Sequence, residues 1–151
     1  AAVQLERRII LSFTGEPRFS GATNWSMLKA YIDNAGGTVG KMKRIKETAL
    51  AMRECLLKRD WGLLPSLIAT EWDNRRTLAE GVTNKRIEDI MAAARSGGAQ
   101  ASKICGAGGG GCLVTCCEPE RRKQVEEALE SGGATVLQYS ISQQGLCIAR
   151  R

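Results

Sequence analysis

The sequence predicts an α+β domain, with a mostly antiparallel sheet that carries helices on one face. Short apolar runs rich in β-branched residues and cysteine lie near both ends of the chain and on either side of residue 108. Between residues 25 and 94, in contrast, apolar side chains recur at the three-and-four spacing of helices. Strands that are segregated from a block of helices in this way are typical of the α+β class.

The size and composition of the chain favour a single globular domain over residues 1–151. The chain is 43% hydrophobic and 25% charged. No apolar run approaches the roughly 18 residues of a membrane span, and no signal peptide is visible. We therefore expect a cytoplasmic protein with no membrane partner.

The net charge of +6 raises the question of an acidic partner. Much of the excess lies in basic runs at residues 41–46 and 121–123, which are typical of solvated helix faces. Aromatic residues are few and no RNA-recognition signature is present, so we expect no nucleic-acid partner. A phosphorylated small molecule remains compatible with this charge.

The first two elements are a strand and a helix. Residues 7–14 predict the strand, which ends in a turn at residues 15–17. The helix can be capped by Ser20 or Thr23 and stops at residues 34–37. Its apolar positions include Trp25, Leu28 and Ile32.

Three more helices precede the second strand. They are predicted at residues 39–58, around residues 64–76, and from Thr83 or Asn84 to residue 96. The first shows a narrow apolar stripe of Met42, Ile45, Ala49, Met52 and Leu56. The third buries Ile87, Ile90, Met91 and Ala94.

The last part of the chain alternates strands with one short helix. Residues 102–105, 112–117, 135–137 and 145–149 predict strands. Pro119 suits the first turn of the helix between them. The buried side of that helix is formed by Val125, Ala128 and Leu129.

A glycine loop at residues 106–111 joins two of these strands, with five glycines in six positions. Such a run is costly to order, so it indicates positive φ angles or a backbone that comes close to another group. Gly106, Gly108 and Gly111 have the spacing of a dinucleotide fingerprint, but that fingerprint must open a helix and here a strand follows. Two interpretations of the loop remain: a flexible hairpin tip, or a backbone that closely approaches a ligand or another domain. The number of glycines favours the close approach.

A second glycine-containing stretch, residues 36–42, invites comparison with a Walker A loop. The first glycine of that pattern would stand at Ala35, and Met42 replaces the hydroxyl residue that would bind magnesium. The stretch is better interpreted as the start of a helix.

The segment from Lys103 to Val114 resembles the third conserved motif of the GHMP kinases, a lysine followed after two residues by Gly-Ala-Gly-Gly-Gly-Gly and an apolar strand. Residues 13–20 and 71–76 resemble the sugar-kinase branch, the D-glycero-D-manno-heptose 7-phosphate kinases. The resemblance implies a ferredoxin-like C-terminal domain with inserted helices. It also implies ATP-dependent phosphoryl transfer to a sugar or sugar-phosphate substrate, with Mg²⁺.

The resemblance implies that most of the catalytic apparatus lies outside this chain. In the family, an N-terminal domain supplies the Gly-Ser-rich phosphate loop, the catalytic carboxylate and the magnesium ligand, and no such loop occurs here. We therefore expect no catalytic residue and no metal ligand in this chain, which alone would be inactive.

Substrate positioning is the role that the resemblance leaves to this chain. The expected site residues are the glycine-motif group of Lys103, Gly106, Ala107, Gly108, Gly109, Gly110 and Gly111, with Arg18 and Arg75 as further substrate contacts. The guanidinium group of an arginine can bind a phosphate through two parallel hydrogen bonds. Lys103 could equally be a solvated cation at a strand edge, and either arginine could pair with a carboxylate such as Glu71.

The cysteine and histidine content limits the metal sites and catalytic mechanisms that this chain could have. None of the six cysteines forms C-x-x-C, and the chain has no histidine, which argues against zinc and excludes Ser-His-Asp and Cys-His catalysis. We expect reduced, unpaired thiols. The alternative function is a non-catalytic ferredoxin-like module that binds or senses a small anionic metabolite through the loop.

Overall fold

A four-stranded antiparallel sheet forms the centre of the domain. The computed structural model describes residues 2–17, 20–146 and 148. The strands, in chain order, are β1 Ile9–Phe13, β2 Ala101–Ile104, β3 Cys112–Cys116 and β4 Thr135–Leu137. They lie side by side in the order β2-β3-β1-β4. All three neighbouring pairs are antiparallel.

Six α-helices and two short 3₁₀ turns complete the described chain. The helices are α1 Ala2–Arg8, α2 Ser20–Ile32, α3 Thr38–Lys58, α4 Leu64–Arg75, α5 Lys85–Ser96 and α6 Arg122–Ser131. The 3₁₀ turns are Ala35–Gly37 and Pro119–Arg121, directly before α3 and α6. The α+β class is confirmed, and the order strand, helices, hairpin, helix, strand is the ferredoxin-like arrangement with α2–α5 between β1 and β2.

The two faces of the sheet carry different clusters of side chains. Residues opposite one another in the ladder point to the same face, and one such set includes Ile10, Ile104 and Leu113, each 0% exposed. These pack with side chains of α5 and α6 in the main core. On the other face, Cys116 packs with side chains from α3 and α4, so these two helices cover its β2–β3 end. Three residues that line the cleft described below, Met27, Met42 and Ala107, pack with the main core.

Helix α5 shows how local sequence fixes an element. The Asn84 side chain accepts a hydrogen bond from the Ile87 N–H at 2.9 Å, which caps the helix where the sequence predicted its start. The four predicted positions of its apolar face are all buried. Burial of that stripe against the sheet holds α5 in place.

Three details differ from the expectations. The first strand begins at Ile9, because residues 2–8 are good helix formers and form α1. In α2 the buried side chain is Met27, whereas Trp25 and Ile32 are 65% and 70% exposed. Leu28 is also exposed, so the apolar side of α2 faces solvent.

The strand predicted at residues 145–149 is absent from the described part of that segment. Gly145, Leu146 and Ile148 are in no strand, and Leu146 and Ile148 are exposed. Cys147 and Ala149 lie outside the described residues. Within residues 2–17, 20–146 and 148, no helix combines the length and apolarity needed to cross a bilayer.

The buried thiols generate a first prediction. Burial raises the pKa of Cys116 to about 12, and it also raises the pKa values of Cys55 and Cys117. Because the thiolate is the reactive form, we expect these three thiols to resist iodoacetamide in the folded chain at pH 8. The half-buried Cys112 should react faster than these three thiols.

Peptide mass spectrometry after timed alkylation checks this order. The same chain alkylated in guanidinium is the control, in which Cys55, Cys112, Cys116 and Cys117 should react at similar rates. Modification of Cys116 as fast as Cys112 in the folded chain would contradict the buried placement.

Candidate functional site: a cationic cleft beside the glycine loop

The glycine loop is held by the backbone of its own domain. All five of its glycines have positive φ. The Gly109 N–H donates to Val82 O at 2.9 Å, and the Gly111 N–H donates to Glu16 O at 2.8 Å. The Gly111 carbonyl accepts from both the N–H and the hydroxyl of Thr14. These bonds tie the β2–β3 hairpin to the end of β1 and to the segment before α5.

Side chains are excluded from the middle of this loop by close contacts. A Cβ at Gly108 would lie 2.3 Å from Val82 O, and one at Gly109 would lie 2.9 Å from Gly81 O. A Cβ at Gly110 would lie 2.8 Å from Glu16 O. The sequence favoured close approach to a ligand or another domain, but for these three glycines the close neighbour is the chain itself.

The N-terminal end of the same loop opens onto a cleft of about 760 Å³. Gly106 and Ala107 line it, together with Arg75 of α4 and Lys103 of β2. The rest of the lining is mostly apolar and comes from α2 and α3: Asn24, Met27, Leu28, Tyr31 and Met42. The cleft therefore has one cationic wall and one largely apolar wall.

One carboxylate joins the two cations of the cleft. Glu71 Oε1 lies 2.5 Å from Arg75 Nε, and Glu71 Oε2 lies 2.7 Å from Lys103 Nζ. The first contact is a hydrogen bond, whereas the second is an ion pair outside hydrogen-bond geometry. Arg75 also donates through Nη1 to Gly106 O at 3.4 Å.

These contacts account for the position of each cation. Arg75 follows Glu71 by one helical turn, so the pair shares a face of α4. Lys103 points to the second face of the sheet because its neighbour Ile104 points into the main core. Strand alternation and helix spacing thus bring both cations to the same carboxylate.

The structure brings together four of the expected site residues and places four others away from them. Arg75, Lys103, Gly106 and Ala107 share the cleft. The remaining loop glycines pack toward residues 14–17 and 81–82. Arg18 lies outside the described residues.

Sequence reasoning missed the wall of the cleft that α2 contributes. Tyr31 and Leu28 lie 45% and 49% exposed on the side of α2 that faces the cleft and solvent. The helical spacing of Leu28 was a partial signal for this wall. The sequence does not show, however, which apolar side chains of a helix stay exposed.

The fold and the site define a class of protein: a ferredoxin-like domain in which the β2–β3 hairpin carries a glycine loop beside a cationic cleft. The family model for the C-terminal region of GHMP kinases matches residues 52–135, more than half of the chain. The chain therefore belongs to the GHMP kinase family and corresponds to the C-terminal domain of that family. The resemblance on residues 103–114 is confirmed.

Individual relatives agree with this assignment. The chain is 28% identical over 151 residues to the D-glycero-alpha-D-manno-heptose 7-phosphate kinase of Campylobacter jejuni, covering 96% of this chain and 42% of that protein. It is 41% identical over 70 residues to the mevalonate kinase of Thermococcus gammatolerans, covering 46% of this chain and 21% of that protein. The chain thus spans less than half the length of these relatives.

Solved structures show the same fold. The crystal structure of L. major mevalonate kinase superposes with a TM-score of 0.73 at 21% identity, covering 82% of this chain and 37% of that one. At this identity the likeness concerns the fold alone.

The glycine loop generates a second prediction, which concerns stability. Gly108→Ala places a methyl group against Val82 O at a φ of 88°, so we expect a loss of about 3 kcal/mol or more in the free energy of unfolding. Gly37→Ala is the matched control, because its φ is 70° but its Cβ would meet nothing within 4 Å. The control should lose only about 1–2 kcal/mol, from the left-handed backbone alone.

Urea unfolding of the three proteins, followed by circular dichroism, measures the difference. Equal losses for the two variants would mean that the loop yields easily and that the contact with Val82 does not constrain it.

Proposed function

We propose that this chain is the substrate-positioning, C-terminal domain of an ATP-dependent kinase that acts on a sugar or sugar phosphate. The observation that carries the proposal is the convergence of Arg75 and Lys103 with the start of the glycine loop on one cleft. Membership of a kinase family supports the phosphotransferase class. An N-terminal domain that binds ATP is the partner that the proposal requires.

The cleft suits a small molecule with an anionic group and a less polar body. Arg75 and Lys103 can bind the anion, since guanidinium forms paired hydrogen bonds to phosphate and ammonium adds a point charge. No described hydrogen bond occupies the N–H groups of Gly106 and Ala107, which can add further donors. Across the cleft, the ring of Tyr31 offers a face for a sugar.

No group of three or more potential metal ligands occurs among residues 2–17, 20–146 and 148. Glu71, the carboxylate beside the cleft, is already paired with two cations. ATP and Mg²⁺ would supply and activate the phosphoryl group, and our proposal assigns their binding to the partner domain. This chain would hold the acceptor in line and exclude water.

The relatives suggest two acceptor classes, and we favour the sugar phosphate. The heptose 7-phosphate kinase of C. jejuni aligns with 96% of this chain, including the segment that contributes α2. The mevalonate kinase of Thermococcus sibiricus aligns with 95% of it at 29% identity, so coverage does not separate the two classes. The preference rests instead on residues 13–20 and 71–76, which resemble the sugar-kinase branch. A cationic wall would serve the carboxylate of mevalonate as well, so mevalonate is the second candidate. The free thiols of Cys55, Cys112, Cys116 and Cys117 suit a reducing, cytoplasmic location.

An acceptor panel tests the proposal directly. The full-length gene product that contains this chain is incubated with ATP, Mg²⁺ and a panel of heptose and hexose phosphates, free sugars and mevalonate, and ADP release is measured. We expect the highest kcat/KM with a sugar phosphate. The isolated 151-residue chain is the control and should release no ADP above buffer. ADP release by the isolated chain, or none from the gene product with any acceptor, would refute the proposal.

The role of Arg75 gives a further prediction. Arg75→Ala in the gene product removes one cation from the cleft, so we expect the KM for the acceptor to rise about tenfold or more, while the KM for ATP stays unchanged. Arg53→Ala is the control, because Arg53 is 67% exposed on α3 and pairs only with the neighbouring Glu54 among described residues. Steady-state kinetics with each substrate varied in turn separate the two constants. A rise in the KM for ATP alone would place the nucleotide, not the acceptor, at Arg75.

A further inference from the structure

Glu71 occupies an unusual position for a carboxylate near an anion site. Its side chain is only 9% exposed, and it stands behind the two cations and does not line the cleft. Each of its oxygens serves a different cation, Arg75 from the same helix and Lys103 from β2. Glu71 is thus the joint between α4 and the sheet at the cationic wall.

This joint fixes how the two cations face the cleft. With Nε of Arg75 occupied by Glu71 and Nη1 directed to Gly106 O, the guanidinium plane has one orientation. Lys103 would otherwise be a flexible four-carbon chain with a rotating head. Both side chains are 23% exposed, so they have little freedom to reorganise without losing these partners.

The same carboxylate allows two like charges to share one wall. Two cations at this depth would repel one another and each would lack a counter-ion, which is costly away from water. With Glu71 between them, the three groups carry a net single positive charge. That charge faces the cleft.

We propose that Glu71 is a positioning residue that holds Arg75 and Lys103 as one receptor for the phosphate group of the acceptor. The identity of the acceptor rests on the proposed function. The receptor itself is a property of this chain, so it can be tested without catalysis.

The competing view of Glu71, as a charge neutraliser only, predicts the opposite sign. If it merely lowered the positive charge, Glu71→Gln would raise the net charge of the cluster and tighten phosphate binding. If it positions the cations, Glu71→Gln would weaken binding, because an amide offers one acceptor and turns its NH₂ donors toward the other cation.

The first test uses the 151-residue chain with inorganic phosphate as the probe. The ¹H–¹⁵N cross-peak of the Arg75 Nε–H is assigned from its loss in Arg75→Lys and followed during phosphate titration. In Glu71→Gln we expect the cross-peak to move to the position of a solvated arginine. The apparent Kd for phosphate should rise about tenfold, which is the lower end of the loss found when a metal ligand loses the partner that orients it.

Asp73→Asn is the matched control. It removes one negative charge from the same helix, but its side chain is 68% exposed and pairs with Arg76 at 3.5 Å. We expect the Arg75 cross-peak and the phosphate Kd to be unchanged. Unchanged or tighter phosphate binding in Glu71→Gln would overturn the proposal.

Glu71→Asp keeps the test decisive if Glu71→Gln does not fold. Aspartate retains the charge but is one methylene shorter, so it reaches the two cations less well, and we expect an intermediate phosphate Kd with a folded amide spectrum. A Kd equal to that of the unmodified chain would show that charge alone matters.

The gene product supplies the catalytic part of the test. In Glu71→Gln we expect the KM for the acceptor to rise about tenfold with little change in kcat, since uniform binding is lost. A rise in the KM for ATP instead would overturn the assignment of the phosphate to the acceptor. If the unmodified gene product proved inactive, the proposed function would fail, while the phosphate titration would still decide the role of Glu71.

Discussion

The packing of the glycine loop against the backbone of its own domain is the constraint on which this structure depends. The loop contacts the segment after β1 and the segment before α5, so three parts of the chain that are distant in sequence meet within a few residues. Asn84 belongs to the same junction, because it caps α5 and also donates to Glu16 Oε2 at 3.1 Å. These contacts hold the hairpin in place, and with it β2 and Lys103.

The two faces of the sheet present different side chains to the helices and to the cleft. The face that meets α5 and α6 buries aliphatic side chains and includes the hydroxyl pair of Ser102 and Thr115, 3.0 Å apart. The opposite face presents Lys103 one residue before a core isoleucine. Because alternation along a strand has a period of two, a single-residue shift of β2 would bury the lysine and expose the isoleucine. The register of β2 therefore fixes both the core and the cationic wall.

Most of the fold was predictable from the sequence because its signals are local. The cap and apolar stripe of α5 and the glycine loop between two strands each reside in a short segment. The start of the first strand was wrong because residues 7 and 8 suit a helix as well as a strand. In the candidate site, Arg75 and Lys103 were each suggested by a motif, and Glu71 was named only as a potential partner. That one carboxylate reaches both cations depends on the distance between α4 and β2, which no local pattern contains.

The weak attachment of α2 has a thermodynamic consequence. Met27 is its only buried side chain among the described residues, and Asn34, Gly36 and Gly37 after it adopt left-handed backbone angles. A helix with so little buried surface has a small free energy of local opening, well below that of the sheet. Since α2 supplies Leu28 and Tyr31 to the cleft, a ligand held there binds preferentially when α2 is folded and packed in place. Occupancy of the cleft would therefore slow amide hydrogen exchange in α2 more than in any strand.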